Sequence, residues 1–172
     1  DVVPPNVAAL WRVLGGFKVA PAAEWASDFL DSNPDRKLVI FAHHTEVIDG
    51  LTTRLEKYGA RKIDGGVLPS VRGKRVDMFQ NDPDCRVLVG QTVAAGTSIT
   101  LTAAHDVLMV EQEWAPADNY QAVSRVHRIG QTQPVTAYYL FAAKTVDERI
   151  VARARRKTAD FNHLFDPLTT PV

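Results

Sequence analysis

Three apolar runs, at residues 37–43, 85–90 and 106–110, limit the folds open to this chain more than any other feature. The first, from Lys37 to His43, follows the breaker Asn33-Pro34-Asp35 and is continuously apolar, the mark of a strand buried on both faces of a sheet. Residues 45–58 place Val47, Ile48, Leu51 and Leu55 at helical spacing, and Gly59 closes that segment as helix ends favour. Residues 61–64 read as a short strand ending in Gly65-Gly66, and 71–81 as a helix with Val76 and Phe79 inward. The second run is a strand, followed by a helix through Ala104; the third is another strand, with a helix from about Pro116 and a last strand over 135–142. This rhythm predicts an α/β fold of three layers, a mainly parallel central sheet with helices on both faces.

With 172 residues, 45% of them hydrophobic, the chain can bury one good core. Residues 37–160 form the expected lobe, 1–36 a lead-in carrying a helix, and 161–172 a loosely ordered tail. In the lead-in, residues 20–30 read as a helix with Trp25 and Phe29 on one side, preceded by a flexible Gly15-Gly16. The chain begins at Asp1 and ends in a loose Pro- and Thr-containing stretch, so it reads as an excised piece whose partner segment lies elsewhere. Twenty acidic side chains balance twenty Lys and Arg, so any nucleic-acid contact is a local patch rather than an overall field. Cys85 is the only cysteine, which rules out an internal disulfide and fits a reducing compartment. No run of about eighteen apolar residues and no secretory leader pattern is present. The expectation is an intracellular protein, cytoplasmic if bacterial or viral and nuclear if eukaryotic, with no membrane partner.

Open parallel sheets bind ligands beyond the carboxyl ends of their strands, so the loops after His43, Asp64, Gly90 and Val110 should share an edge. Residues 91–101 leave a strand through small and hydroxylated side chains, which lets backbone amides approach a phosphate or lets a helix pack closely on the sheet. Further on, Gln121, Arg125 and Arg128 fall within roughly a 60° arc of a helix, with Ala122, Val126 and Ile129 on an adjoining packing arc. Two planar guanidiniums on such a stripe suit a phosphate whose charge grows during reaction, the arginine-finger arrangement; a solvated helix face is the plain alternative. No G-x-x-x-x-G-K-[ST] segment exists to hold a triphosphate, so the arginines lack the nucleotide they would serve. Without that loop, Glu111 reads as an edge residue. Thr145 and Glu148 fit a capping box opening a helix whose Arg149, Arg153, Arg155, Arg156 and Lys157 form a solvated face or a contact surface. His43 and His44, placed at a strand end and pointing to opposite sides, form no zinc-like pair with cysteines or with His105, His127 and His163, so no metal is expected. No G-x-S-x-G elbow appears, and Cys85 sits where a thiol is inert.

The string Arg125-Val126-His127-Arg128-Ile129-Gly130-Gln131 is highly specific. Taken with 37–44, Ile63-Asp64-Gly65, 87–89 leading into Ala94-Ala95-Gly96, Trp114-Ala115-Pro116 and Gln121-Ala122, it resembles the C-terminal helicase lobe of Swi/Snf-type ATPases in helicase superfamily two. The match spans about residues 37–148, and Phe41-Ala42-His43-His44 with Leu101-Thr102-Ala103-Ala104 looks closest to the annealing-helicase branch. The resemblance implies a RecA-like fold and an ATP-driven motor on double-stranded or branched DNA. ATP and Mg2+ would be held mainly by an N-terminal RecA-like lobe of the same parent, and none by this lobe alone. Arg125 and Arg128 would be the catalytic fingers, exposed toward the cleft, with Gln121, Gly96 and Ser98 lining it. The family often has glycine where Ser98 stands, a departure that bears on the loop's approach to nucleotide. His43, His44, Asp64, Gly65 and Thr92 would approach the DNA backbone, and Trp114 would couple DNA to the cleft. Two rivals stand beside this motor reading: a DNA- or partner-binding module without catalysis, and a small nucleotide-binding enzyme, which the missing phosphate loop disfavours.

Overall fold

Side-chain alternation along the first apolar run divides the core in two. In the computed structural model, which describes residues 5–93 and 99–152, Leu38, Ile40 and Ala42 of strand β1 (Leu38–Ala42) face one apolar cluster and Val39 and Phe41 face another. Four further strands flank it: β2 (Arg61–Ile63), β3 (Val87–Gln91), β4 (Asp106–Met109) and β5 (Thr136–Tyr139). Their order is β2-β3-β1-β4-β5, and every neighbouring pair is parallel. Helices α1 (Pro5–Ser32) and α2 (Thr45–Arg54) cover the first cluster. Helix α3 (Pro69–Asn81), through Phe79, and α4 (Pro116–Val123), through Ala122, cover the second. The three-layer α/β fold expected from the strand rhythm is the one found, and a helix α5 occupies residues 146–152.

Helix α1 departs most from expectation. It starts at Pro5 and runs unbroken through Gly15-Gly16, where a flexible joint was expected, and on through Pro21. A buried stripe of Trp11, Gly15, Lys18, Ala22, Ala26 and Leu30 recurs every three or four residues, with Ala23 buried beside it. Glycine at 15 serves close packing: a Cβ there would lie 2.3 Å from Glu111 Oε1 and 3.0 Å from Val47 Cγ2. On the sheet, Trp25 and Phe29 stack with ring centroids 5.4 Å apart and meet Tyr138 of β5, on one side as expected. Lys18 sits almost wholly buried, its Nζ 2.5 Å from Asp147 Oδ2 and donating to the Val110 carbonyl at 2.9 Å. Asp147 is therefore more than a helix cap, since its Oδ2 also takes the Ala142 amide. The capping box itself is shifted by one residue: Thr145 Oγ1 accepts from the Asp147 amide and Glu148 Oε1 from the Lys144 amide.

Two expected elements change. No helix fills residues 99–104, because their backbone is claimed elsewhere: Leu101 N donates to the Arg125 carbonyl and Ala103 N to Gln80 Oε1. Residues 94–98 of that call lie outside the described residues. Helix α4 ends at Val123, so Arg125 and Arg128 stand on the following turn and not on a helical stripe. The end of α2 keeps its expected signal. After a 3-10 turn (Glu56–Tyr58), Gly59 adopts φ 67°, and a Cβ there would lie 2.1 Å from the Asp84 carbonyl oxygen.

Gly59→Ala, with a left-handed backbone and a backbone clash, should cost at least about 2 kcal/mol in chemical denaturation. Lys18→Met leaves Asp147 buried without its cation and should cost about 3–5 kcal/mol, read as a lowered denaturation midpoint.

Candidate functional site

Strands β1 and β4 are neighbours, yet the helices that follow them, α2 and α4, pack on opposite faces of the sheet. The crevice at their carboxyl ends is where α/β sheets take ligands. Two histidines follow β1 there, and two glutamates follow β4. Both carboxylates are buried. Glu111 Oε2 accepts the backbone amides of His43 and His44, each at 2.9 Å, while its Oε1 accepts His44 Nδ1–H at 2.7 Å. Glu113 Oε1 accepts His43 Nδ1–H at 2.8 Å. Glu111 is thus a core charge and not an edge residue. The histidines do not diverge either: the strand ends at Ala42, before alternation could separate them, and both rings turn to the end of β4. Trp11 closes the group from α1, its ring 4.3 Å from that of His43 and 6.1 Å from that of Trp114. Among the described residues no three His, Cys, Asp or Glu side chains converge as a metal set.

The hydrogen bond to Glu113 raises the pKa of His43, outweighing the opposing effect of burial. A histidine whose folded value is raised contributes stability that is fully present below its unfolded pKa and lost as pH rises through the folded one. With Nδ1–H committed to Glu113, the neutral ring offers only a lone pair at Nε2, and the imidazolium offers a second N–H.

The edge continues toward β2. Gln91 Oε1 accepts the Gly65 amide at 3.1 Å and its Nε2 donates to the His43 carbonyl at 3.1 Å. Asp64 is folded inward, with Oδ1 on the Gly66 amide and Oδ2 3.1 Å from Lys62 Nζ. Burial pushes its carboxyl up, but the Lys62 and Gly66 hydrogen bonds outweigh that and its pKa lies below the usual range. Thr92 is buried, its amide and hydroxyl both donating to the Ala42 carbonyl. A shallow depression beside them is lined by Thr45, Lys62, Gly65, Leu68, Arg75 and Gln91. In the other direction, Asn119 of α4 clamps Glu113 at both backbone ends, Oδ1 on its amide at 2.8 Å and Nδ2 on its carbonyl at 2.9 Å. One line of bonds therefore crosses four strand ends, from Gly65 through Gln91, His43 and Glu113 to α4. Neither Gln91 nor Asn119 stood out in sequence, where a lone amide side chain carries no signal.

Beyond α4 the two arginines differ. Arg125 is buried, where expectation had it exposed, and burial, then the like charge of Arg128, pull its pKa down. Arg128 is half-buried, with Nη1 3.4 Å from Thr100 Oγ1. Gln121 is exposed on α4. Ala122 and Val126 pack inward as expected, but Ile129 is fully exposed, because the chain has left the helix and turns at Gly130, whose φ is 102°. Gln131 closes this turn, its Nε2 donating to the Ala104 carbonyl at 2.7 Å. The calls at Gly96 and Ser98 lie outside the described residues.

Known proteins resemble this chain in sequence and in fold. The family described as Helicase conserved C-terminal domain matches residues 22–130. The mouse DNA annealing helicase and endonuclease ZRANB3 is 39% identical over 164 residues, 89% of this chain but 15% of that protein. A SWI/SNF-related matrix-associated actin-dependent regulator of chromatin subfamily A-like protein 1 homolog from Caenorhabditis elegans is 41% identical over 147 residues, covering 83% of this chain and 21% of its own length. The crystal structure of the C-terminal part of the Fun30 ATPase domain superposes with a TM-score of 0.72 at 29% identity, covering 76% of this chain and 44% of that one. The chain thus spans about a fifth or less of the curated relatives it matches. Its parallel RecA-like sheet, its sequence and these relatives agree that the chain belongs to the helicase conserved C-terminal domain family, among the SWI/SNF-type members.

Proposed function

We propose that this chain is the C-terminal lobe of an ATP-dependent DNA translocase or helicase, supplying arginine fingers and DNA-backbone contacts to a site that a second lobe completes. The observation that carries the reading is the arginine turn: Arg125 fixed by burial and Arg128 partly open beside it, on a chain with no phosphate loop of its own. Two cations so placed suit a polyphosphate brought by another body, here the N-terminal lobe of the same parent, which holds ATP and Mg2+. Gln121, exposed four residues before Arg125, is assigned to the same cleft, a role the family resemblance also gives to Gly96 and Ser98. Closure of the lobes brings the guanidiniums to the developing charge, and hydrolysis releases them, which makes turnover a step along DNA.

The DNA contacts in this reading are backbone contacts, sequence-independent and salt-sensitive. His43, His44, Gly65 and Trp114 line the edge that would meet the phosphates, whereas Asp64 and Thr92 act by shaping its loops, their polar groups being turned inward. Relatives named as annealing helicases and regulators of chromatin support a parent that works on duplex or branched DNA, in the nucleus if eukaryotic. No described helix is long and apolar enough to cross a membrane.

In the full-length parent, Arg128→Ala should slow ATP hydrolysis on the order of 10³-fold with little change in melting temperature, and Arg128→Lys should not restore it. Arg125→Ala should lose both activity and stability, because its side chain is packed. The isolated chain should show negligible ATP hydrolysis, recovered only when joined to a lobe with a phosphate loop; robust turnover by the chain alone would refute the reading.

A further inference from the structure

We infer that Glu111 is a positioning residue, its buried carboxylate tying the histidine loop after β1 to the segment that leads from β4 into α4 and the arginine turn. The inference rests on the translocase reading and deepens it by naming a link between the DNA-facing and nucleotide-facing parts of the lobe.

Three donors converge on this carboxylate: the amides of His43 and His44 and the His44 ring. His44 occupies the N-cap position of α2 yet makes no capping bond with its own side chain. Glu111 caps α2 from a different strand, placing a negative charge where a helix N-terminus favours it. With no solvent exposure, that carboxylate cannot trade a lost partner for water, so the loop and the end of β4 hold one arrangement together. Two residues on, Glu113 repeats the device with His43 and passes it to α4 through Asn119. Only Ser124 separates α4 from Arg125. A phosphate that shifts His43 or His44 therefore acts on Glu111 and Glu113, and through them on the helix that leads into the arginine turn. Helix α1 closes the remaining side, because glycine at 15 is what leaves room for Glu111 Oε1.

A purely structural Glu111 would predict something different. Its loss would lower the amount of folded protein and depress all activity in proportion. The discriminating readout is the ratio of ATP hydrolysis at saturating duplex DNA to hydrolysis without DNA, taken on one sample of full-length parent so that inactive material cancels. Glu111→Ala should lower that ratio by about 3- to 30-fold, the range of coupling effects along packed networks. Basal turnover per folded molecule and KM for ATP should stay within about twofold, since no ground-state contact to nucleotide is lost. Glu111→Gln, which can still accept both amides, should restore most of the ratio and folds if Glu111→Ala does not. Gly15→Ala perturbs the same carboxylate from α1 and should lower the ratio as well. The double variant Gly15→Ala/Glu111→Ala should fall no further than Glu111→Ala, because the 2.3 Å clash needs the carboxylate and the 3.0 Å contact with Val47 Cγ2 does not touch the link. An unchanged ratio in Glu111→Ala, a parallel fall of basal and stimulated rates, or additive effects of the two sites would overturn the proposal. A wild-type parent whose hydrolysis ignores DNA altogether would overturn the translocase reading and this link with it.

Discussion

β1 has a strand on either side and no solvent exposure at any of its five residues, so both faces of the sheet must be roofed. On one face α3, α4 and the segment around Leu101 and Ala104 suffice. On the other, α2 has only ten residues, about 15 Å of helix, too little to span five strands about 4.8 Å apart. The remainder falls to α1, and this sets its length and path. Ala22, Ala26 and Leu30 cover the sheet interior, and the same stripe continued toward the N-terminus carries Lys18, Gly15 and Trp11 over the strand ends. The roof over the core is thus also the lid over one side of the candidate site.

Because α1 buries that edge, the edge cannot be a set of independent loops. Each charge enclosed there must be matched, or its desolvation would exceed what marginal stability tolerates. Lys18 is matched by Asp147, Glu111 and Glu113 by the histidines and amides after β1. The matches all run between different elements of the chain, which couples those elements in pairs and gives the edge a single geometry in the unliganded lobe. Preorganisation of this kind lowers the entropy a charged partner must overcome on binding.

Legibility in the sequence followed hydrophobicity. β1, β3 and β4 were visible because a strand buried on both faces is apolar at every position, and α2 because Val47, Ile48 and Leu51 are inward at helical spacing. The first half of α1 was hidden by an inversion: Gly15 and Lys18 are buried, while Leu10, Val13 and Phe17 are exposed. Gly15-Gly16 then read as a flexible joint, although close packing against Glu111 and Val47 was the reason for one of the two. In the site, the motif around Arg125 to Gln131 was legible as a mark of the family but not as shape, since local spacing could not foresee that the Arg125 carbonyl and Gln131 amide would be drawn into bonds with residues 101–104. Glu111 was undervalued for a related reason: its partners are 67 and 68 residues away in the chain.

The end of α4 at Val123 separates the roles open to the two arginines. Had the helix continued, both guanidiniums would have shared one solvated stripe and one environment. Instead the turn buries Arg125 and leaves Arg128 partly open, with Gly130 bending the chain and Gln131 pinning it behind. Burial and the like charge of Arg128 both oppose the Arg125 cation, and both pull its pKa down. In the proposed function the polyphosphate meets both cations at once, and only contacts stronger in the transition state than in the ground state raise the rate. On that reading Arg125 would hold the turn in place, while Arg128 would reach the charge that is redistributed over the phosphoryl oxygens in the transition state.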